Sequence, residues 1–360
     1  MVKLLIQPQD GIAALLSAIK KAKTTIEVVI FRFDRAEIEQ ALMAAVRRGV
    51  AVSALIAYAN RGGEKQLRKL EMRLLDAGVK VSRTPAKLVR YHNKMMVVDG
   101  TLLFVLSFNF THMDIDHSRA FGIVTRKPKL VQEAMKLFAA DSQRKTYKAG
   151  LDTFIVSPVN ARRQLAAFIN KAKKELLIYD PSISDTNMAK ALVARATAGV
   201  KIRVIGAMSR KNAHIEIRRL TGLRLHTRTI IRDRREAFVG SQSLRQPELD
   251  QRREIGILVR EPKVVNALLA TFEKDWESSG FDEARDAGKA DAEPKSTAKA
   301  TRALVKEMAP LKSTLKKAIK QAVAKAGKEA AVNGELKSTV KHAVKAAVKE
   351  AVKEMNQEAR

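Results

Sequence analysis

Residues 92–109 read HNKMMVVDGTLLFVLSFN. Two short apolar runs, 95–98 and 102–106, flank an Asp-Gly pair, the pattern of a β-hairpin. Residues two apart in a strand share a face, so His92 and Lys94 point the same way. Ser107 and Asn109 do the same on the return strand. A nucleophile or base, a cation and two hydrogen-bonding side chains are thereby predicted to converge on one anion.

Around this hairpin, strand-like and helix-like segments alternate. Strands are predicted at 2–7, 25–31, 50–56, 79–81 and 120–125. Helices are predicted at 11–22, capped by Asp10, and at 36–48, 63–77 and 129–141. The alternation predicts an α/β layered domain. The pattern then repeats. IKKAK at 19–23 returns as INKAK at 169–173, Pro8 as Pro158, and Gly49-Val50 as Gly199-Val200. Further on, His92 aligns with His226, Asp99 with Asp233, Ser107 with Ser241 and Gly122 with Gly256. Phe138 aligns with Phe272 and Asp141 with Asp275. The second copy is shorter where the first has its long charged helix at 63–77. The expected organisation is a first repeat at 1–148 and a second at 149–280, then a polar linker at 281–300. A Lys/Ala-rich tail of basic amphipathic helices at 301–360 completes the chain.

The 360 residues carry 68 Lys and Arg against 38 Asp and Glu, a net charge of +30. From Arg285 onward there are 18 basic and 9 acidic residues, which leaves +21 for the part before it. Such a field favours a polyanion, either nucleic acid or an anionic lipid surface. With no cysteine, disulfides, thiolate zinc sites and a cysteine nucleophile are excluded. The segment MVKLLIQPQDG at 1–11 has no long apolar leader, and no apolar run approaches the ~20 residues of a membrane span. A cytoplasmic protein is expected, with peripheral contact to an anionic membrane through its tail. His112 and His117, with Asp114 and Asp116 between them, are spaced for neither a helix face nor a strand face, so a surface loop without metal is predicted.

The duplicated hairpin resembles the signature of the phospholipase D superfamily, H-x-K-x4-D followed by Ser/Gly-x-Asn. The first copy matches in full: His92, Lys94, Asp99, Ser107, Asn109. The second keeps His226, Asp233, Gly240 and Ser241, with Arg228 for the Lys and Ser243 for the Asn. The resemblance covers about residues 1–280. It implies two tandem α/β/α domains related by a pseudo-twofold, with one site between them and no cofactor or metal. It makes His92 the nucleophile and His226 the general acid/base. Lys94 and Asn109, with Arg228 and Ser243, would bind the non-bridging oxygens, helped by Ser107 and Ser241. Asp99 belongs to the motif's catalytic set, yet Asp99 and Asp233 are better placed to pin their turns. An acidic residue about 28 positions after each His is expected to orient a ring. That position is Glu254 in the second copy, where it is assigned to His226, and Ala120 in the first, where Asp114 or Asp116 is the candidate substitute.

The substrate implied is an anionic phosphodiester, and the site needs no oligomer. A hydrolase or phosphatidyltransferase of glycerophospholipids is the leading expectation. The alternatives are a superfamily nuclease, or a phosphate- or nucleic-acid-binding protein whose site has decayed, as Arg228, Ser243 and Ala120 suggest.

Overall fold

The computed structural model describes residues 2–58, 64–84, 88–210 and 212–281, which belong to one compact unit. The expected linker beyond 281 and the tail at 301–360 lie outside the described residues. The first half runs β1 (Val2–Gln7), α1 (Ala13–Lys21), β2 (Thr25–Ile30), α2 (Ala36–Arg47), β3 (Ala51–Ile56), α3 (Glu64–Asp76) and β4 (Lys80–Arg83). It continues with β5 (Arg90–Tyr91), β6 (Met95–Val98), β7 (Leu102–Leu106), α4 (His112–Asp116), β8 (Ser118–Thr125) and α5 (Pro128–Ser142). The second half runs β9 (Phe154–Val156), α6 (Ala161–Asn170), β10 (Glu175–Ile183), α7 (Thr186–Thr197), β11 (Lys201–Met208), β12 (Ile215–Arg219) and β13 (Arg224–Leu225). There follow β14 (Arg228–Arg232), β15 (Glu236–Gly240), α8 (Gln246–Asp250), β16 (Arg252–Arg253), β17 (Ile255–Val259), α9 (Pro262–Glu277) and β18 (Gly280–Phe281).

The duplication read from the sequence is a duplication of sheets. The first has strand order β1-β8-β7-β6-β2-β3-β4. The second has the matching order β9-β17-β15-β14-β10-β11-β12, extended by β18. In the second half β11 leads directly to β12, so the residues missing from the repeat are those of α3. Two small expectations differ. Asp10 does not cap α1; its carboxylate accepts from Ile6 N at 2.7 Å, and α1 begins at Ala13. Residues 112–116 form the short helix α4, capped by Thr111, where a loop was expected.

Both faces of each sheet are covered, which is why β6 reads MMVV without alternation. Met95 and Val97 enter a core shared by the two halves, while Met96 and Val98 face a core under the first half's helices. The shared core includes Phe121, Tyr179 and Phe272, with residues of α5 and α9. Gly122 and Gly256 match across the repeat for a steric reason. A Cβ at Gly122 would lie 2.7 Å from Leu106 Cδ2, and one at Gly256 2.3 Å from Phe238 Cε2.

The hairpin turn corrects one expectation. Asp99 and Gly100 both have positive φ, 51° and 57°, as the tight turn requires. The Asp99 carboxylate accepts from the backbone N–H groups of Lys23, Thr24 and Thr25 at the start of β2. His92 packs instead against Phe31, at the other end of β2, with ring centroids 4.7 Å apart. A six-residue strand therefore separates Asp99 from the histidine, and a place in the catalytic set does not fit it. Asp233 repeats the arrangement with the N–H groups of Lys173, Lys174 and Glu175 at the start of β10.

Candidate active site

Two short parallel pairings carry each histidine into the opposite half. β5 pairs with β16, and β13 pairs with β8. The His92 N–H donates to Arg253 O at 2.8 Å, and the His226 N–H donates to Arg119 O at 3.0 Å. Behind each crossing sits a buried clamp. Arg253 donates to Asp141 Oδ1 at 3.0 Å, and Tyr91 Oη donates to Asp141 Oδ2 at 2.5 Å. On the other side Arg119 grips both oxygens of Asp275, at 2.7 and 3.0 Å, and Tyr179 Oη donates to Asp275 at 2.7 Å. The repeat had matched Asp141 with Asp275 but gave them no purpose; their purpose is to bind the halves.

The crossing reassigns Glu254. It was expected to orient His226, in its own half. Its carboxylate lies 2.8 Å from His92 Nδ1 instead. Glu254 and His92 are 162 residues apart, and sequence spacing carries no trace of that contact. With Nδ1–H donated to the carboxylate, the His92 Nε2 lone pair is left available. Burial, then the charges of Lys94, Arg228 and His226, hold the His92 ring well below the ordinary histidine value, so it is neutral. Burial raises Glu254, while Lys94, a Ser241 hydrogen bond and Arg228 oppose the rise.

His226 takes its partner from the first half. Ala120 cannot serve, and Asp114, six residues upstream on α4, does so. His226 Nε2 lies 3.0 Å from Asp114 Oδ2, an ion-pair distance without hydrogen-bond alignment. Asp114 also accepts from Asn109 N at 2.8 Å and from the Arg224 guanidinium. Burial would raise its carboxyl, but His226, Arg224 and the Asn109 N–H bring it well below the usual range. Burial pushes His226 down to about 4; Asp114 opposes the shift, and Arg228 and Arg224 add to it. Glu248 matches Asp114 in the second half and likewise accepts from a backbone N–H, that of Ser243, at 2.7 Å. The shared task of this position is to hold that loop; the histidine contact is an addition of the first half.

The cations lie beside the rings. Lys94 Nζ donates to His92 O at 2.7 Å, and Arg228 Nη1 donates to His226 O at 2.7 Å. Arg228 thus repeats the anchoring of Lys94, and its Nε donates to Ser243 Oγ at 3.0 Å. Lys94 is fully buried. Burial brings it down to about 7, opposed by Glu254 and Asp114 and reinforced by Arg228 and Arg32. Asn109 Nδ2 spends one N–H on Asp114, at 2.6 Å, and keeps a second for an anion. Ser107 and Ser241 do not fit the phosphate-binding role expected of them. Ser107 Oγ accepts from Phe121 N at 2.9 Å, and Ser241 Oγ accepts from Ile255 N at 3.2 Å. Both hydroxyls tie the end of a hairpin strand to the segment that bears position 120 or 254. Among the described residues, no group of three or more His, Asp and Glu side chains is arranged to hold a metal ion.

Two histidine–cation hairpins meeting across one interface are the arrangement that the duplicated motif implied. The family described as cardiolipin synthase, PLD-like domain, matches residues 15–142 and 165–276, about two thirds of the chain. The chain belongs to the phospholipase D family. Mitochondrial cardiolipin hydrolase of Danio rerio is 31% identical over 140 residues, which are 37% of this chain. Those residues span 59% of that relative's own length. Phosphatidylserine synthase of Haemophilus influenzae superposes with a TM-score of 0.61 at 12% identity, covering 87% of this chain and 93% of its own. Polyphosphate kinase of Porphyromonas gingivalis gives 0.66 at 17% identity, covering 84% of this chain and 55% of its own. At these identities the two structures share the fold. Members of the phospholipase D family are in general enzymes. Among the described residues, no helix is long and apolar enough to cross a membrane.

Proposed function

We propose that the chain is a phospholipase D-like phosphodiesterase or phosphatidyltransferase of glycerophospholipids that works through a phosphohistidine on His92. The observation that carries this reading is the Glu254–His92 contact, which fixes the tautomer with a free Nε2 on a neutral ring. His92 Nε2 attacks phosphorus and the bond to the leaving oxygen breaks. His226 gives that oxygen its proton. Water or a second alcohol then gives a proton to His226 and attacks phosphorus, and the N–P bond breaks to restore His92. Lys94, Arg228 and the free Asn109 N–H oppose the charge that builds on the non-bridging oxygens. His226 must be protonated for the first step. A phosphodiester anion bound beside Arg228 and Arg224 offsets the two charges that depress it, so substrate raises its pKa. The family's name and that of the Danio rerio relative favour a lipid substrate. The decayed-site reading rested on Arg228, Ser243 and Ala120; Asp114 beside His226 and the Lys94-like anchoring of Arg228 weigh against two of those three.

The direct test incubates the protein in EDTA with phosphatidylglycerol vesicles, and separately with single- and double-stranded DNA. Head-group release is expected, at least about 10³-fold slower in His92→Ala, as for the loss of a covalent nucleophile. The +21 charge before Arg285 is the observation behind the nuclease reading, and DNA cleavage without lipid turnover would establish it.

Lys94 predicts a pH limb. Its ammonium is the form that binds phosphate, and its pKa is lowered, so charge is lost as pH rises through about 7. Binding of a non-hydrolysable phosphodiester analogue, which needs no proton transfer, is therefore expected to weaken above neutrality. In Lys94→Arg the guanidinium stays charged, so that limb moves beyond pH 9. An unchanged alkaline limb in the variant would assign it to another group.

A further inference from the structure

Three of the exposed large apolar side chains among the described residues stand on the face where the halves meet: Val89 at 70%, Met113 at 53% and Tyr58 at 52%. Val89 lies three residues before His92, with its N–H on Gln251 O at 3.2 Å, at the lip made by β5 and β16. Met113 precedes Asp114 and takes the Ser118 hydroxyl on its carbonyl at 2.8 Å, at the lip made by β8 and β13. The repeat exchanges these two lips. Val89 aligns with Leu223 and Met113 with Pro247, and both of those are partly exposed. Each lip therefore carries an exposed apolar side chain beside a second apolar one. Tyr58 follows β3 on the same C-terminal edge as Phe31 at the end of β2.

Each lip also carries arginines. Arg224 is half exposed over Asp114, Arg252 sits on Glu248, and Arg90 lies 5.5 Å from the Phe31 ring. Of the carboxylates on α4 and α8, Asp114 and Glu248 are buried beneath these guanidiniums and engaged by them, while the more exposed Asp116 and Asp250 pair with Arg35 and Arg162. In these two pairs the guanidinium is the outer partner, on a chain that carries +21 before Arg285. Apolar side chains set beside arginines are the combination that seats a protein in the headgroup layer of an anionic membrane. A single nucleic-acid strand calls instead for a series of aromatic platforms; Val89 and Met113 offer none, and Tyr58 is a single one.

We propose that the mouth of the site is itself a membrane-docking surface. Val89 and Met113, with Leu223 and Pro247, enter the headgroup region of an anionic bilayer while the arginines of the same lips hold lipid phosphates. Substrate is then taken from the bilayer, not from solution. The proposal rests on the lipid reading above, but the first arm of its test does not.

The absence of cysteine allows single labels. Val89→Cys, Met113→Cys and a control, Lys129→Cys, in the first turn of α5 beyond the far end of β8, are each labelled with an environment-sensitive fluorophore in the full chain. Vesicles of phosphatidylcholine with phosphatidylglycerol should blue-shift positions 89 and 113 but not 129. No shift, or an equal shift at all three positions, overturns the docking surface, and so does a shift given by an oligonucleotide but not by vesicles. In the second arm, Val89→Ser/Met113→Ser should slow hydrolysis of vesicle phosphatidylglycerol at least tenfold. Hydrolysis of dissolved dihexanoyl-phosphatidylglycerol should stay within twofold. Equal loss on both substrates counts against the surface. A blue shift at 89 and 113 with no turnover of either lipid keeps the surface and sinks the lipid substrate.

Discussion

Glu254→Gln is expected to lower kcat by about 10³–10⁴-fold while leaving the fold intact, by analogy with the loss of a tautomer-fixing carboxylate in a catalytic triad. The substitution keeps the shape of the side chain. It changes what faces His92 Nδ1, 2.8 Å away, from an acceptor to a group that can donate. An amide N–H turned toward Nδ1 makes that nitrogen the acceptor and moves the ring proton to Nε2. The lone pair needed for attack is then gone. Steady-state kcat measured beside urea unfolding separates this from damage to the fold. A loss of less than tenfold would mean that the carboxylate does not set the tautomer.

Arg119→Met is expected to destabilise the chain by about 3–5 kcal/mol, because it strands a buried carboxylate. Asp275 would keep only the Tyr179 hydroxyl, and Gln7 O would lose the donor that now sits at 2.7 Å. Pairing the change with Asp275→Leu should recover most of the loss, since removing both charges ends the penalty of leaving one unpaired. Urea unfolding of the two single variants and the double variant measures the coupling. Activity should fall with stability here, because Arg119 O also carries the N–H of His226. If the double variant is no more stable than Arg119→Met, the clamp does not work as a pair.

The sequence made the hairpin legible because its determinants are local. The Asp-Gly turn, the two apolar runs and the shared face of His92 and Lys94 all lie within eighteen residues. The repeat made the second hairpin legible in the same way, and the shorter second copy marked α3. What spacing could not show was which half each carboxylate serves. Glu254 follows His226 by 28 residues, yet the parallel pairing of β16 with β5 turns it toward His92. Asp114 was visible as an acidic residue near the missing position, but only α4 brings it to the His226 ring. Asp99 was legible as a turn residue from its place before Gly100, and its hydrogen bonds at the start of β2 agree. Ser107 and Ser241 looked like phosphate donors because the strand period puts them on a promising face. Their hydroxyls are spent on the neighbouring strand, a partner that no single-strand pattern reveals.

The central claim is that one site spans both halves, with His92 as nucleophile and His226 as its acid and base. A phosphodiester with a p-nitrophenyl leaving group tests it most directly, because that group departs without a proton. In His226→Ala the first step should run and the second should stall. One burst of p-nitrophenol per chain should appear, with an acid-labile phosphoryl adduct on the peptide holding His92. His92→Ala should give neither burst nor adduct. An adduct on His226 in the His92 variant, or a burst of equal size in both variants, would contradict the account.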